Sequence, residues 1–557
     1  MNRNSESHFA ENPTVGISRS KFDRSFTHKT TFNTGDIIPI YCDTTIMPGD
    51  TVKMKMSEVV RMMTPIAPVM DNANLDTYFY FVPYRLIWDH FKRFFGENDT
   101  APWTQNVEYE IPQIVAPENG WKKGSLADYL GYPTEIGGYK ASALPFRAYA
   151  TVWNEWFRSE ALQNPCYVTT GDSDITGTDK TTLGSNYDYV VDTEKGAAPL
   201  KACKYFDYFT AALPGAQRGP QVTIPLGQYA PLKATAPTHP FPGYTSWTDG
   251  EGEELGFLNI GSSISDTGKL ALFSDEETHH IMGGTLQTKL VTDLSNAVSA
   301  TINQLRQAFQ IQKFYERQAR GGTRYIEMVK SHFDVTNPDF RMQRPEYLGG
   351  ERIPINMNQV VQNSESATTP LGSTGAMSVT SNVNGDLFTH SFTEHGILIG
   401  LAVVRTIHTY QQGLNRQYSK KKFTDFYFPE FANLGEQAIL NKEIYLQGPS
   451  VVDDDGNIVD EQAFGYQEAW GNERYFPDIV TGEMRSNYAQ SLDLWHYADD
   501  YAQLPSLGDE WIMETDQNVA RTLAVESHDQ FLGDFYFGAV YTRPMPMFSV
   551  PGLIDHH

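Results

Sequence analysis

Residues 51–56 read TVKMKM, with Val52, Met54 and Met56 alternating against Thr51, Lys53 and Lys55. A period of two places the two sets on opposite faces of a strand, so this segment predicts a strand with one buried face and one wet face. Residues 77–82 (TYFYFV) are aromatic or β-branched throughout and run into Pro83, which cannot donate to a ladder and so ends the strand. Residues 396–404 (GILIGLAVV) are apolar on both faces, as expected of a strand covered on both sides. Residues 534–541 (DFYFGAVY) supply a fourth candidate. Turn signals at Pro48-Gly49-Asp50, Asn384-Gly385-Asp386 and Asp455-Gly456-Asn457 break the chain between such segments. The fold class is mainly β.

Helical patterns are few. Leu294, Val298, Ile302, Leu305 and Phe309 fall on one stripe of a helix that should stop at Gly321-Gly322. Shorter amphipathic helices are expected over residues 85–95 (RLIWDHFKRFF) and 147–162, the latter with Tyr149, Val152 and Trp156 on one side. All three stripes are expected to pack into the core.

The chain has 557 residues, of which 32 are Phe, 30 Tyr and 9 Trp, and 20% are charged. The charged fraction is below the roughly 25% of an average soluble protein, and the aromatic content rules out a disordered chain. Such a chain folds and keeps apolar surface to bury against partners. No apolar run reaches the roughly 20 residues that span a bilayer, and residues 1–16 lack the apolar centre of a secretory signal. A soluble product made in a cytoplasm, without membrane insertion, is expected. Three widely spaced cysteines, Cys42, Cys166 and Cys203, suit reduced structural thiols.

The formal charge is −25, which argues against an ordinary DNA-binding protein, because phosphate binding rests on Lys and Arg. Its distribution is uneven. Residues 445–534 hold 19 acidic side chains against three basic ones, Arg474, Arg485 and Arg521, a net of −16. Residues 301–344 and 401–425 each carry a net of +4, and the first thirty residues a net of +2. This pattern suits a protein with one face toward a polyanion and another toward solvent.

Residues 228–290 stand apart, with eight glycines, eight acidic residues, three lysines (Lys233, Lys269, Lys289) and a Pro-rich start. They read as an inserted surface excursion, of the kind that carries recognition. Chemistry-bearing motifs are lacking: there is no phosphate loop, no nucleophile elbow and no zinc-protease helix. His279-His280 are adjacent, so on an extended segment they point apart and do not chelate. Asp453-Asp454-Asp455-Gly456-Asn457 lacks the glycine and the glutamate that a calcium loop needs at its sixth and twelfth positions, and reads as a hairpin turn. Neither cofactor, metal nor catalytic residue is expected. Two readings remain: a structural assembly protein, or a β-rich carbohydrate-active enzyme or carbohydrate-binding protein suggested by abundant carboxylates and aromatics. The absent secretion signal counts against the second.

Several phrases decide between them. Residues 319–327 (ARGGTRYIE) and 343–350 (QRPEYLGG), with 28–39 (HKTTFNTGDIIP), 68–76 (PVMDNANLD), 207–214 (DYFTAALP), 542–546 (TRPMP) and 550–555 (VPGLID), closely resemble the major capsid proteins of gokushoviruses, in the Microviridae. The resemblance implies an eight-stranded antiparallel jelly roll of viral-capsid type, with long loop insertions and a few helices. It implies a division into an N-terminal arm leading into the barrel (1–50), the first part of the roll with helical insertions (51–227), a variable surface insertion (228–290) and the remainder of the roll (291–557). It further implies about 60 copies in a T=1 shell around circular single-stranded DNA. Implied partners are a pilot protein, an internal scaffolding protein, a small basic DNA-binding protein and a host receptor, the last met by a threefold protrusion built from residues 228–290. Arg320, Gly321, Gly322, Arg324, Arg344, Pro345, Glu346 and Tyr347 form the family signature, expected to make fold or inter-subunit contacts. On the inner wall, Arg3, Arg19, Lys21 and Arg24 in an arm over residues 1–27, and Lys420, Lys421 and Lys422, are expected to meet DNA, with Phe22, Phe26 and Phe423 free to stack on bases. The acidic stretch 445–534 is expected away from that wall.

Overall fold

The alternation seen in residues 51–56 extends through a twelve-residue strand, Thr51–Met62, in which every second side chain from Val52 to Met62 is buried. The computed structural model describes residues 18–98, 108–181, 189–222, 302–355, 385–525 and 527–549, together with the backbone of short strands between 232 and 292 and between 358 and 384. Ten strands build the central sandwich: β1 (Ser20–Asp23), β2 (Phe26–Phe32), β3 (Ile38–Ile46), β4 (Thr51–Met62), β5 (Ala73–Pro83), β6 (Glu346–Gly349), β7 (Arg352–Ile355), β8 (Thr380–Ser391), β9 (Gly396–Thr406) and β10 (Phe531–Arg543). In the first sheet β1 and β2 both pair with β10, β10 with β4, and β4 with β8. In the second, β6 and β7 pair with β5, β5 with β9, and β9 with β3. All these ladders are antiparallel.

The two sheets share one core. Val52, Met54, Met56, Phe535, Phe537 and Tyr541 from the first meet Phe79, Phe81, Leu398 and Ala402 from the second. Each such large side chain contributes about 1.5–3 kcal/mol on leaving water, so this layer fixes the strand register. A second core covers the far side of the second sheet, where Tyr80, Val82, Ile397, Ile399, Leu401 and Val403 pack under Ile114, Trp121, Phe146, Tyr149 and Trp153. Strand β9 is therefore buried along both faces, as its unbroken apolar run requires. Among the described residues the outer face of the first sheet has no such cover: Lys53, Lys55, Val59 and Arg61 on β4 are exposed, as are Leu532, Tyr536 and Val540 on β10.

The expected turns hold at two of three positions. Gly49 and Gly456 take positive φ, +90° and +82°, in the turns at 48–50 and 455–457. Asn384-Gly385-Asp386 does not turn; β8 runs straight through it with register shifts on either side, and Asp386 stands opposite Lys55. Pairing along β4 overrides the local signal. The helix expected over 85–95 is two short turns, Tyr84–Ile87 and Phe91–Phe94, because Trp88 leaves the helix to bury its ring and give its indole N–H to Asp172 at 2.6 Å. Over 147–162 the structure has helix α1 (Leu144–Val152) continued by a single π-helical stretch, Trp153–Phe157. Helix α2 (Ile302–Gly321) ends where expected, but none of its residues is buried; Ile302 and Phe309 are 70% and 64% exposed, so this stripe is not core. Leu294 and Val298 lie outside the described residues, as do residues 1–17 and His279-His280. From Ser20 onward the expected N-terminal arm is part of the first sheet, hydrogen-bonded to β10.

The chain divides into two compact units, residues 1–218 with 316–557, and residues 219–315. Within the second, Tyr244–Thr248, Glu254–Asn259 and Phe273–Ser274 form an antiparallel sheet, and Leu232–Ala234 pairs with Leu290–Thr292. The three thiols are free, and burial pushes those of Cys42 and Cys203 up to about 12 and about 11, so neither ionises readily.

A charged triad lies inside the first unit. His408, just past β9, sits between Asp499 and Glu514, with Nδ1 and Nε2 each 3.0 Å from a carboxylate oxygen. Glu514 also accepts from the Thr406 N–H and hydroxyl, and Asp499 from the Asn518 amide and Tyr501 hydroxyl. Burial disfavours the imidazolium, yet the two carboxylates outweigh it and push the His408 pKa up to about 10. For a raised folded-state pKa, the stabilisation is complete below the unfolded value of about 6.5 and disappears as pH rises through about 10. His408→Gln should lower the unfolding free energy at pH 7 by about 3–5 kcal/mol, because two buried carboxylates lose their counter-charge. Urea unfolding at pH 7 and pH 10 reads both effects; an equal stability gap between the two proteins at both pH values would refute the triad's role.

Candidate functional site

The signature segment forms a buckle within the first unit. Gly322 has φ +89°, and a Cβ there would overlap the Glu327 carboxylate, while one on Gly321 would overlap Ser331. The double glycine thus lets α2 end and helix α3 (Tyr325–Phe333) begin immediately. Arg324, at this junction, pairs with Glu160 at 3.0 Å and Glu327 at 3.2 Å. It also donates to the carbonyls of Asn154 (2.5 Å), inside the π-helical stretch, and Arg158 (3.3 Å), just past its end. Arg320 pairs with Glu436 and donates to the Gly435 carbonyl at 2.9 Å. Further on, Arg344 binds Asp339 at 2.8 Å and lies 4.0 Å above the Trp156 ring. The Trp156 indole N–H donates to the carbonyl of buried Pro345 at 3.1 Å. Glu346 faces His390 across 3.6 Å, and Tyr347 packs against Tyr80 and Trp156. All eight signature residues make contacts within this chain, tying the π-helical stretch to β5 and β6.

A second cluster escaped sequence reading. Asp76 on β5 accepts from Arg352 Nε at 2.6 Å, Arg405 Nε at 3.0 Å and the Tyr205 hydroxyl at 2.8 Å, and both guanidinium groups stack on Tyr205. Burial raises a carboxyl pKa, but these donors hold Asp76 below its ordinary value. The four residues are far apart in sequence, and no motif links them.

The cations expected to meet DNA fall on two elements. Arg3 lies outside the described residues. Arg19 donates to the Gly49 carbonyl (2.5 Å) and the Thr51 hydroxyl (2.7 Å), and Lys21 is exposed on β1. Arg24 pairs with buried Asp43 at 2.5 Å and stacks on Tyr541 at 4.7 Å, so its charge is engaged inside the chain. Lys420, Lys421 and Lys422 lead into a short 3-10 turn, Phe423–Asp425. Lys420 pairs with Glu473 at 2.5 Å and lies over Phe426, while Asp425 accepts the N–H groups of Lys421 and Lys422. The side chains of Lys421 and Lys422 are exposed, as is Phe423 at 73%. Phe22 packs against the shared core, whereas Phe26 is 43% exposed.

The acidic stretch is only partly solvated. Asp460, Asp499 and Glu514 are buried. Among the described residues no group of His, Cys, Asp and Glu has metal-site geometry, and no helix is long and apolar enough to cross a membrane.

Comparison with known proteins matches residues 10–553 to the family described as Capsid protein (F protein). The chain is 41% identical to Capsid protein VP1 of Bdellovibrio phage phiMH2K, over 99% of this chain and 98% of that protein. It is 37% identical to Capsid protein VP1 of Chlamydia phage 1, over 98% and 97%, and 40% identical to Capsid protein VP1 of Spiroplasma virus 4, over 96% of each.

The buckle sets a stability expectation. Arg324→Ala strips Glu160 of its main counter-charge, and burial already raises the Glu160 pKa; the expected loss is about 1.5–3 kcal/mol. Gly322→Ala adds a side chain at positive φ and against Glu327, at about 1–3 kcal/mol. Thermal unfolding of both variants, with limited proteolysis across residues 313–330, checks this; unchanged melting and cleavage would refute the buckle.

Proposed function

The chain belongs to the Capsid protein (F protein) family, and from that premise we propose that about sixty copies of it close into a T=1 icosahedral shell around a circular single-stranded DNA genome. It is a major capsid protein, a structural component of phage virions, with gokushovirus capsid proteins as its relatives. The observation that carries this is the match over nearly the whole length of both partners. The carbohydrate-enzyme reading is displaced by it.

The fold supports an eight-stranded roll. β1 and β2 occupy one position beside β10, and β6 and β7 one position beside β5, which makes four positions in each sheet. From β2 to β10 successive positions cross between the sheets, except that β6 and β7 follow β5 within the second, an order that suits a jelly roll. Large exposed side chains support assembly: Phe206, Phe333, Tyr418, Phe423 and Phe548 are each more than 70% exposed in the single chain, and such surface is ordinarily buried by partners. Contacts that are weak singly become stable when closed symmetry repeats them.

Charge sets a further requirement. With 43 basic and 68 acidic residues, each subunit adds −25 to a shell around a polyanion. Most neutralising charge must come from elsewhere, which is the place for polyamines, metal ions and the small basic protein. Lys421 and Lys422, with Phe423, offer the shell a local contact to DNA bases and phosphates. A pilot protein and an internal scaffolding protein complete the proposed partners. Residues 228–290 form the threefold protrusion that meets the host receptor.

Electron microscopy of the purified chain tests the central reading: uniform isometric particles are expected, and a soluble monomer that cleaves polysaccharide would overturn it. Neutralising Lys420, Lys421 and Lys422 to Gln should lower packaged DNA per particle; full packaging with unchanged heat release of DNA would sink that assignment. Particles with residues 235–280 shortened should assemble but adsorb poorly to host cells, and normal adsorption would refute the attachment role.

A further inference from the structure

Among the described residues the sandwich is covered on one side only. The second sheet lies between two apolar cores, whereas the first shows its outer face to solvent. Cross-strand registers specify the residues of that face. From β4 come Thr51, Lys53, Lys55, Ser57, Val59 and Arg61, opposite Thr542, Val540, Gly538, Tyr536, Asp534 and Leu532 of β10. Beyond β10 lie Lys21 and Asp23 of β1, then Thr27, Lys29 and Thr31 of β2. Beyond β4 lies Asp386 of β8.

The charge of this face runs against that of the chain. It carries Arg19, Lys21, Lys29, Lys53, Lys55 and Arg61 against Asp23, Asp386 and Asp534, a two-to-one excess of cations, while the whole chain has 43 basic and 68 acidic residues. Asp529 stands at its edge, accepting from Thr31. The ion pairs on it are loose: Lys55 and Lys53 share Asp386 at 3.1 and 3.8 Å, and Lys29 reaches Asp534 at 4.0 Å. Pairs so exposed are worth little, so a phosphate can displace the carboxylates. Lys21 and Arg61 have no carboxylate partner among the described residues.

Apolar groups interleave with the cations. Tyr536, 48% exposed, stands mid-sheet between Ser57 and Thr27. Val59 and Leu532, 45% and 40% exposed, floor an open groove of about 370 Å³ with Lys29 and Arg61 on its walls. Cations that hold a backbone, with an aromatic ring and apolar floor that take bases, are the chemistry of single-strand binding, and an open sheet is a common platform for it.

We propose that the open outer face of the first sheet is a binding surface for single-stranded nucleic acid, with Tyr536 stacking on a base and Lys29, Lys53, Lys55 and Arg61 holding phosphates. This rests on the reading of the chain as the coat of a single-stranded DNA virion, and extends it to a surface distinct from Lys420–Lys422. It turns this sheet toward the genome and leaves the covered sheet to face away.

The test uses full-length protein, a thirty-nucleotide oligothymidine and purified particles. Tyr536→Ser should weaken oligothymidine binding roughly 5- to 100-fold, the loss of one stacked base. Lys29→Gln with Arg61→Gln should flatten the salt dependence by roughly 0.7 per lost contact. Ultraviolet crosslinking of DNA inside wild-type particles, which needs no variant to fold, should mark the β10 peptide that contains Tyr536. Crosslinks confined to residues 418–431, or binding untouched by these substitutions but lost with Lys420–Lys422, would overturn the proposal while leaving the capsid reading intact. So would variants that bind oligothymidine normally but fail to assemble, since the face would then be a contact between copies. Particles that contain no single-stranded DNA would overturn the underlying reading itself.

Discussion

The last strand closes the sandwich. β10 lies between β4 on one side and β1 with β2 on the other, paired over twelve residues with β4 alone. The strand that joins β4 to β1 and β2 therefore comes from the last thirty residues, so the first sheet is completed only after almost all of the polypeptide has been made. Its far end is locked by a buried polar chain. The Tyr541 hydroxyl meets that of Tyr41 (2.6 Å) and the Asp43 carboxylate (2.7 Å), Arg24 pairs with Asp43, and Arg543 reaches Asp50 at 3.1 Å. Burial pushes the Tyr41 hydroxyl up to about 12, so the cluster keeps its hydroxyl protons at any ordinary pH. The bond from Tyr541 to Asp43 thereby joins segments some 500 residues apart and, being charge-assisted, is stronger than a neutral one.

From that closure comes the asymmetry of the molecule. Insertions between the strands of the second sheet, residues 113–203 above all, wrap its outer face with Trp121, Phe146 and Trp153, while among the described residues β2, β4, β8 and β10 receive no comparable cover. The signature segment belongs to the covered side. Arg324 binds the carbonyls of Asn154 and Arg158 and the Glu160 carboxylate, and Arg344 stacks on Trp156, contacts that hold that insertion to the signature segment and that suit planar multi-donor groups rather than lysine.

Much of this was legible in the sequence, and the failures have physical reasons. Period-two alternation in residues 51–56 and unbroken apolarity in 396–404 gave the right strands and the right burial, because one and two covered faces leave different patterns. The glycine turn at 384–386 failed because β4 supplies a continuous partner that a local signal does not register. The stripe through Ile302, Leu305 and Phe309 gave a true helix but the wrong environment: periodicity reveals an apolar face, not its cover. The His408 triad was invisible, since Asp499 and Glu514 lie roughly a hundred residues away and were counted simply as part of the acidic stretch 445–534. Of the candidate DNA contacts, charge alone could not separate Arg24, consumed by Asp43, from Lys21, which is exposed on the neighbouring strand.

The same sorting changes the meaning of the net charge. Part of the negative excess is structural: Asp43, Asp76, Asp499 and Glu514 are buried with cationic or hydroxyl partners, where they serve the fold and contribute little to the field outside. Charges on open surface act at longer range, within roughly a Debye length of 8–10 Å. A sheet face with twice as many cations as carboxylates can therefore attract a polyanion locally even though the chain as a whole repels one.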